Sequence, residues 1–133
     1  MAIRVSIQDD FDAELARAVR RAPQVLDYAK VRVSQYSMKA IQQVKTRMPV
    51  DTGRARASWG NDPAGAPAEP GDGVFAVSDQ GLTITQGTNV EYVQYLNEGH
   101  SSQAPAGFID AVAEEVGEDF ENALMGDLMR LFS

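Results

Sequence analysis

His100 is the only histidine in the 133-residue chain, and it stands between Glu98 and the pair Ser101-Ser102. A carboxylate, an imidazole and a hydroxyl are the parts of a general base acting on a nucleophile, the chemistry of a small hydrolase centred on Glu98, His100 and Ser101. The spacing argues against it. Serines one and two residues from a histidine are too close in sequence to form a convincing nucleophile–base pair with it. A lone histidine beside a chain reversal is more often a hydrogen-bonded structural residue. No His-Glu-x-x-His helix, Gly-rich phosphate loop or calcium-loop spacing occurs. The chain has no cysteine, which excludes disulfides and thiolate metal sites. The expectation is no catalytic residue, no cofactor and no metal.

Two motifs carry more information than this triad. The first is Met48-Pro49-Val50-Asp51-Thr52-Gly53-Arg54-Ala55-Arg56-Ala57-Ser58-Trp59. Asp51 can accept backbone N–H bonds and open a short turn through about Ser58, with Gly53 supplying a torsion that other residues resist. Arg54 and Arg56 then present fork-shaped donors, either solvated or aimed at carboxylates of a neighbouring subunit. Trp59, the only tryptophan, suits a core or the centre of an interface. The second motif runs from Gly87-Thr88 through Tyr92-Val93-Gln94-Tyr95-Leu96-Asn97-Glu98-Gly99-His100-Ser101-Ser102-Gln103-Ala104-Pro105-Ala106-Gly107 to Phe108-Ile109. Tyr92 and Tyr95 are expected to pack their rings on the core while their hydroxyls find partners. Glu98-Gly99 reads as a helix end with the glycine left-handed, and Pro105 and Gly107 set the start of the last helix.

Periodicity places these motifs on elements. Ile3, Val5 and Ile7 alternate with Arg4, Ser6 and Gln8, a half-buried strand. Asp9-Asp10 offers a cap for a short helix over 10–21, with Phe11, Leu15, Ala18 and Val19 on one face. Pro23 suits the first turn of a second helix, over 23–47. Val25, Ala29, Val33, Tyr36, Ala40 and Val44 give it an apolar stripe that Leu26 and Ile41 widen. It must end before Pro49. Residues 61–73 contain three prolines, no large apolar group and several glycines, and are expected to be a mobile loop. The runs 74–78 and 82–86 flank Asp79-Gln80-Gly81 as a hairpin. Residues 90–98 read as a short helix with Tyr92, Tyr95 and Leu96 on one side. In the last helix Phe108, Val112, Val116, Phe120, Leu124 and Leu128 recur at strict fours, so its packed face should wind. The order predicts one α+β domain over 1–133: a small antiparallel sheet packed on a long helix and a C-terminal helix.

The net charge of −7 hides a division. Residues 1–56 hold eleven of the twelve Lys and Arg against six acids, whereas 57–133 hold thirteen acids and only Arg130. One reading is a nucleic-acid-binding module using Arg17, Arg20, Arg21, Lys30, Arg32, Lys39, Lys45 and Arg47, but these cations are spread around two helices rather than gathered on one face. The simpler reading is that the basic and acidic halves pack against each other, within a subunit or between neighbours. No apolar run approaches a membrane span and the start does not resemble a signal peptide, so a soluble chain is expected.

Taken in order, Pro-Val-Asp-Thr-Gly-Arg, the following Ser-Trp, a Gly-Thr strand end and Tyr-x-x-Tyr-Leu-x-Glu-Gly-His-Ser-x-Gln-Ala-Pro-Ala-Gly resemble the tail-completion and head–tail joining (neck) proteins of tailed bacteriophages, including the minor tail protein Z group. The resemblance covers about residues 45–112. Many relatives carry Pro-Phe where this chain has Ala106-Gly107-Phe108. It implies a structural virion protein, located in the tail or neck and assembled in the host bacterial cytoplasm. The implied partners are copies of itself, commonly in a hexameric ring, with adjacent head-completion or connector and tail-tube or tail-terminator proteins. The resemblance carries over no catalytic residue. Asp51, Arg54, Arg56, Trp59, Tyr92, Tyr95, Glu98 and His100 are the candidate structural or interface residues. Six copies at −7 each would carry −42, and an acidic lumen would let DNA pass without specific binding.

Overall fold

Alternation of apolar residues builds the first strand, β1 (Ala2–Ser6), in a computed structural model that describes residues 2–7, 17, 19–48, 58–59, 73–99 and 106–131. Ile3, Val5 and Ile7 turn inward and are buried. Most of the helix expected over 10–21 lies outside the described residues; Arg17 and residues 19–21 are helical. Pro23 opens the long helix α1 (Pro23–Arg47), about 37 Å at the standard rise. Met48 leaves it in extended geometry, as the following Pro49 requires. The expected stripe is buried at Val25, Ala29, Val33, Ala40, Ile41 and Val44, with Ser37 joining it and Tyr36 half-buried.

Strands β2 (Gly73–Ser78) and β3 (Thr83–Thr88) form the expected hairpin, and β1 pairs with the other side of β3. The sheet is antiparallel throughout, in the order β1-β3-β2. Gly73 belongs to β2 rather than to the loop expected over 61–73; the rest of that stretch lies outside the described residues. The hairpin turn differs from the expectation. Not only Gly81 (φ 92°) but also Asp79 (φ 53°) and Gln80 (φ 58°) are left-handed. Both terminal nitrogens of the Arg20 guanidinium donate to the Asp79 carboxylate, at 3.2 and 2.5 Å, and this tie anchors a turn that side-chain-bearing residues otherwise resist.

The short helix α2 (Glu91–Asn97) and the last helix α3 (Phe108–Leu131) complete an α+β fold. Each four-residue step advances about 40° around a straight helix, so a stripe of strict fours walks off the buried face. The α3 seam follows Phe108, Val112, Val116, Phe120 and Leu124, then returns by a step of three to Asp127, leaving Leu128 half-buried. Helices α1 and α3 run antiparallel. Arg32 pairs with Asp127, Lys39 with Asp119 and Arg47 with Glu115, while the Tyr36 ring meets Phe120 edge-on at 6.2 Å. These ion pairs, like Arg20–Asp79, join the basic half of the chain to the acidic half. Four cations of the basic half are thus engaged within the fold itself.

Candidate functional site

The two motifs meet at β3. Ser58, Trp59, Gln86 and Thr88 are all buried, and their polar atoms are matched one to another. The Trp59 indole Nε1 donates to Gln86 Oε1 at 2.9 Å. Gln86 Nε2 in turn donates to the Ser37 carbonyl at 2.7 Å and to Ser37 Oγ at 2.9 Å. Both ends of the amide are therefore satisfied, which is what makes a buried glutamine tolerable in an apolar layer. Ser58 Oγ and Thr88 Oγ1 share a hydrogen bond of 2.7 Å, and Thr88 Oγ1 accepts the Val90 N–H at 3.0 Å. Thr88 therefore ties the first motif to the start of α2.

From there the second motif is locked to α3 by Asn97. Its Oδ1 accepts the Ile109 N–H at 2.9 Å, its Nδ2 donates to Asp110 Oδ2 at 3.0 Å, and its carbonyl accepts the Gly107 N–H at 2.7 Å. The first N–H groups of a helix lack partners within it, so Asn97 caps α3 from a different element. Gly99 (φ 89°) ends α2 in the left-handed geometry read from Glu98-Gly99, and Gly107 (φ 72°) precedes α3. A Cβ on Gly99 would stand 2.8 Å from the Ala106 Cβ, so the chain passes itself too closely there for any side chain. Gly99→Ala should destabilise the fold by about 2–3 kcal/mol, from left-handed strain plus this clash. Gly99→Asn should restore little, because asparagine tolerates the torsion but not the contact; urea midpoints of the two variants check this.

The scaffold presents an aromatic pair. The expectation that the Tyr92 and Tyr95 rings pack on the core is not met: Tyr92 is 45% and Tyr95 48% exposed. The buried side of α2 is Val93, Leu96 and Asn97 instead. With seven residues, α2 has room for only one buried ridge, and the β-branched and aliphatic residues take it. The tyrosines stack on each other at the surface, with centroids 5.8 Å and planes 18° apart. Glu98, also exposed, accepts from Gln94 Nε2 at 3.3 Å. Trp59 is core, with no exposed surface. Asp51, Arg54, Arg56 and His100 lie outside the described residues, as does Ser101.

No family model, curated protein or solved structure matches this chain. Its own geometry must carry the reading. Arg20, Arg32, Lys39 and Arg47, half of the cations that a nucleic-acid surface would draw on, already hold carboxylates. Hydrogen bonds to Asp127, Asp119 and Asp79 hold Arg32, Lys39 and Arg20 respectively more firmly charged than usual, and the Asp79 carboxyl is depressed by its bond to Arg20. Lys39 Nζ also lies 5.6 Å from the Tyr36 ring centre. Phosphate contacts at these positions would have to displace a paired acid.

Residue types alone did not single out Ser58, Gln86, Thr88, Asn97 or Asp127. For Gln86 a signal existed: it falls on the same alternation as Ile84 and Thr88, at a position where a polar residue must find partners or stay at the surface. For Asn97 the signal was its place in the last turn of a helix whose next motif needed a cap.

Proposed function

We propose that this chain is a structural virion protein that completes or terminates a bacteriophage tail or joins it to the head, as one subunit of a homo-oligomeric ring at the neck. The observation that carries the reading is the Tyr92–Tyr95 pair: two stacked rings exposed on a helix that hydrogen bonds at both ends fix in place. Such mounting suits contact rather than chemistry. Tyrosine gives large contact area with few torsions to freeze, and a rigid platform loses little entropy on docking. The pair also lies inside the motif that resembles the neck and tail-completion proteins. Copies of itself and the adjoining connector or tail-tube subunits are the partners this reading assigns, with DNA passing through the lumen unbound.

Tyr92→Ala combined with Tyr95→Ala should change stability by no more than about 1 kcal/mol, since both rings are half exposed and i,i+3 pairs add little. In particles assembled with this variant as the only copy, tail completion or head–tail joining should fail. Electron micrographs would show heads and tails separate, or tails of uncontrolled length. Particles of normal form from the double variant would remove the tyrosine contact. Purified virions that lack the polypeptide would remove the function.

A further inference from the structure

Strand β2 bears an apolar row that the described fold covers only in part. Phe75 and Val77 stand opposite Gln86 and Ile84 of β3, which in turn stand opposite Ile3 and Val5 of β1. Directly paired residues point to the same face of a sheet, so all six share one side. The four on β1 and β3 are buried, because α1 packs against both strands and α3 packs against β1. Neither long helix packs extensively on β2, and Phe75 remains 39% and Val77 59% exposed. β2 is also an outer strand of the three-stranded sheet. Its sequence, Gly73-Val74-Phe75-Ala76-Val77-Ser78, contains no charge and no proline, the devices that normally keep an edge from pairing with another chain. Beside it, Val31, Ser34 and Met38 occupy the side of α1 turned away from α3, since Arg32, Lys39 and Arg47 bond across to α3. Val31 and Met38 are exposed too.

We propose that β2 is a docking edge for a second copy of this chain, whose own β2 pairs with it antiparallel to make a six-stranded sheet. The pairing concerns the protein in solution and stands apart from the virion reading. Two features select this occupant. First, an antiparallel strand can pair with itself about a two-fold axis, and the same event buries the Phe75–Val77 row and the α1 flank of both copies. Because α1 lies over both β1 and β3, the two α1 helices would stand about 15–20 Å apart, three to four strand spacings, with the four Phe75 and Val77 side chains in the interval between them. Second, the other available edge fits poorly. Pairing β2 with β1 of another copy would bring the α3 side that carries Glu114 and Glu121, both exposed, toward Val31 and Met38. Carboxylates would then face apolar side chains and lose water without gaining partners.

The side-chain alternation restricts the register, because a one-residue slip would turn the second copy's apolar row to the opposite face. Of the registers that remain, the one centred on Ala76 sets each Phe75 opposite Val77 of the second copy, an aromatic–β-branched pair, and places Ala76 opposite its own equivalent. Sedimentation of the purified chain should show a concentration-dependent dimer. Val77→Lys should weaken that dimer by at least about tenfold, because an inward-pointing lysine at a sheet edge opposes pairing. Its circular dichroism and melting should stay those of the parent. The chain has no cysteine, so Ala76→Cys introduces a single thiol. On mild oxidation it should cross-link to its own copy, whereas Gln94→Cys, on exposed α2, should not. A chain that sediments as a monomer up to its solubility limit overturns the proposal. So does an assembly that Val77→Lys leaves intact, or an Ala76→Cys protein that cross-links no faster than Gln94→Cys.

Discussion

Trp59→Ala is expected to leave most of this protein unfolded or barely folded at room temperature. The indole is wholly buried, and removing so large a side chain costs about 3–5 kcal/mol through lost burial and the cavity left behind. The same change strips Gln86 Oε1 of its donor, adding about 1–3 kcal/mol for a buried acceptor without a partner. Together these approach the whole stability of an ordinary domain, about 5–15 kcal/mol. Trp59→Phe shifts the balance between the two contributions: it keeps most of the volume but loses the N–H together with part of the ring system, so it should cost about 2–3 kcal/mol. Urea unfolding followed by circular dichroism reads both. A Trp59→Ala protein with nearly the parental midpoint would mean that the β3 polar layer does not hold the first motif.

Asp127→Ala is expected to be the most damaging change among the acidic residues of α3. The Asp127 side chain is only 4% exposed and accepts from Arg32 Nε at 2.7 Å and Arg32 NH2 at 2.9 Å, with Arg130 as a further donor. Removing one member of a buried pair leaves the other's charge without compensation. Arg32 keeps a quarter of its surface in water, which reduces the penalty to about 2–3 kcal/mol. Asp119→Ala, by contrast, breaks a pair in which both groups are about half exposed, and should shift stability by no more than about 0.5 kcal/mol.

A pH dependence follows from the same carboxylate. The hydrogen bonds from Arg32 outweigh burial and hold the Asp127 carboxyl below its ordinary value in the folded state. A group depressed on folding stabilises the protein fully above its unfolded value, about 3.9 for aspartate. That stabilisation fades as the pH falls through the folded value. The parent should therefore lose stability in acid, and Asp127→Asn should show a shallower loss over the same window. Some acid sensitivity should survive in the variant, because Arg20 depresses Asp79 in the same direction. Urea midpoints taken from neutral to strongly acidic pH measure the slope, and equal slopes for parent and variant would rule out this role for Asp127.

Local patterns were legible where local physics decides them. The bounds of α1 followed from Pro23 in its first turn and Pro49 just past its end, and the stripe between them needed only helical spacing. The β2–β3 hairpin followed from two alternating runs around Asp79-Gln80-Gly81, and the left-handed end of α2 at Gly99 from what only glycine readily adopts. The excess of cations before residue 57 and of acids after it already implied that the halves attract.

Tertiary structure decided what depends on distant neighbours. Which side of α2 is buried could not be read from a seven-residue helix with four large apolar or aromatic groups; the core took Val93 and Leu96 and left Tyr92 and Tyr95 outside. Whether position 127 or 128 closes the α3 seam depended on where Arg32, ninety-five residues earlier, would place its guanidinium. Gln86 and Asn97 are polar residues whose burial is acceptable only because Trp59, Ser37, Ile109 and Asp110 arrive from elsewhere in the chain. Period and turn chemistry are properties of consecutive residues. The matching of buried donors to acceptors is not, and it exists only once the elements have packed.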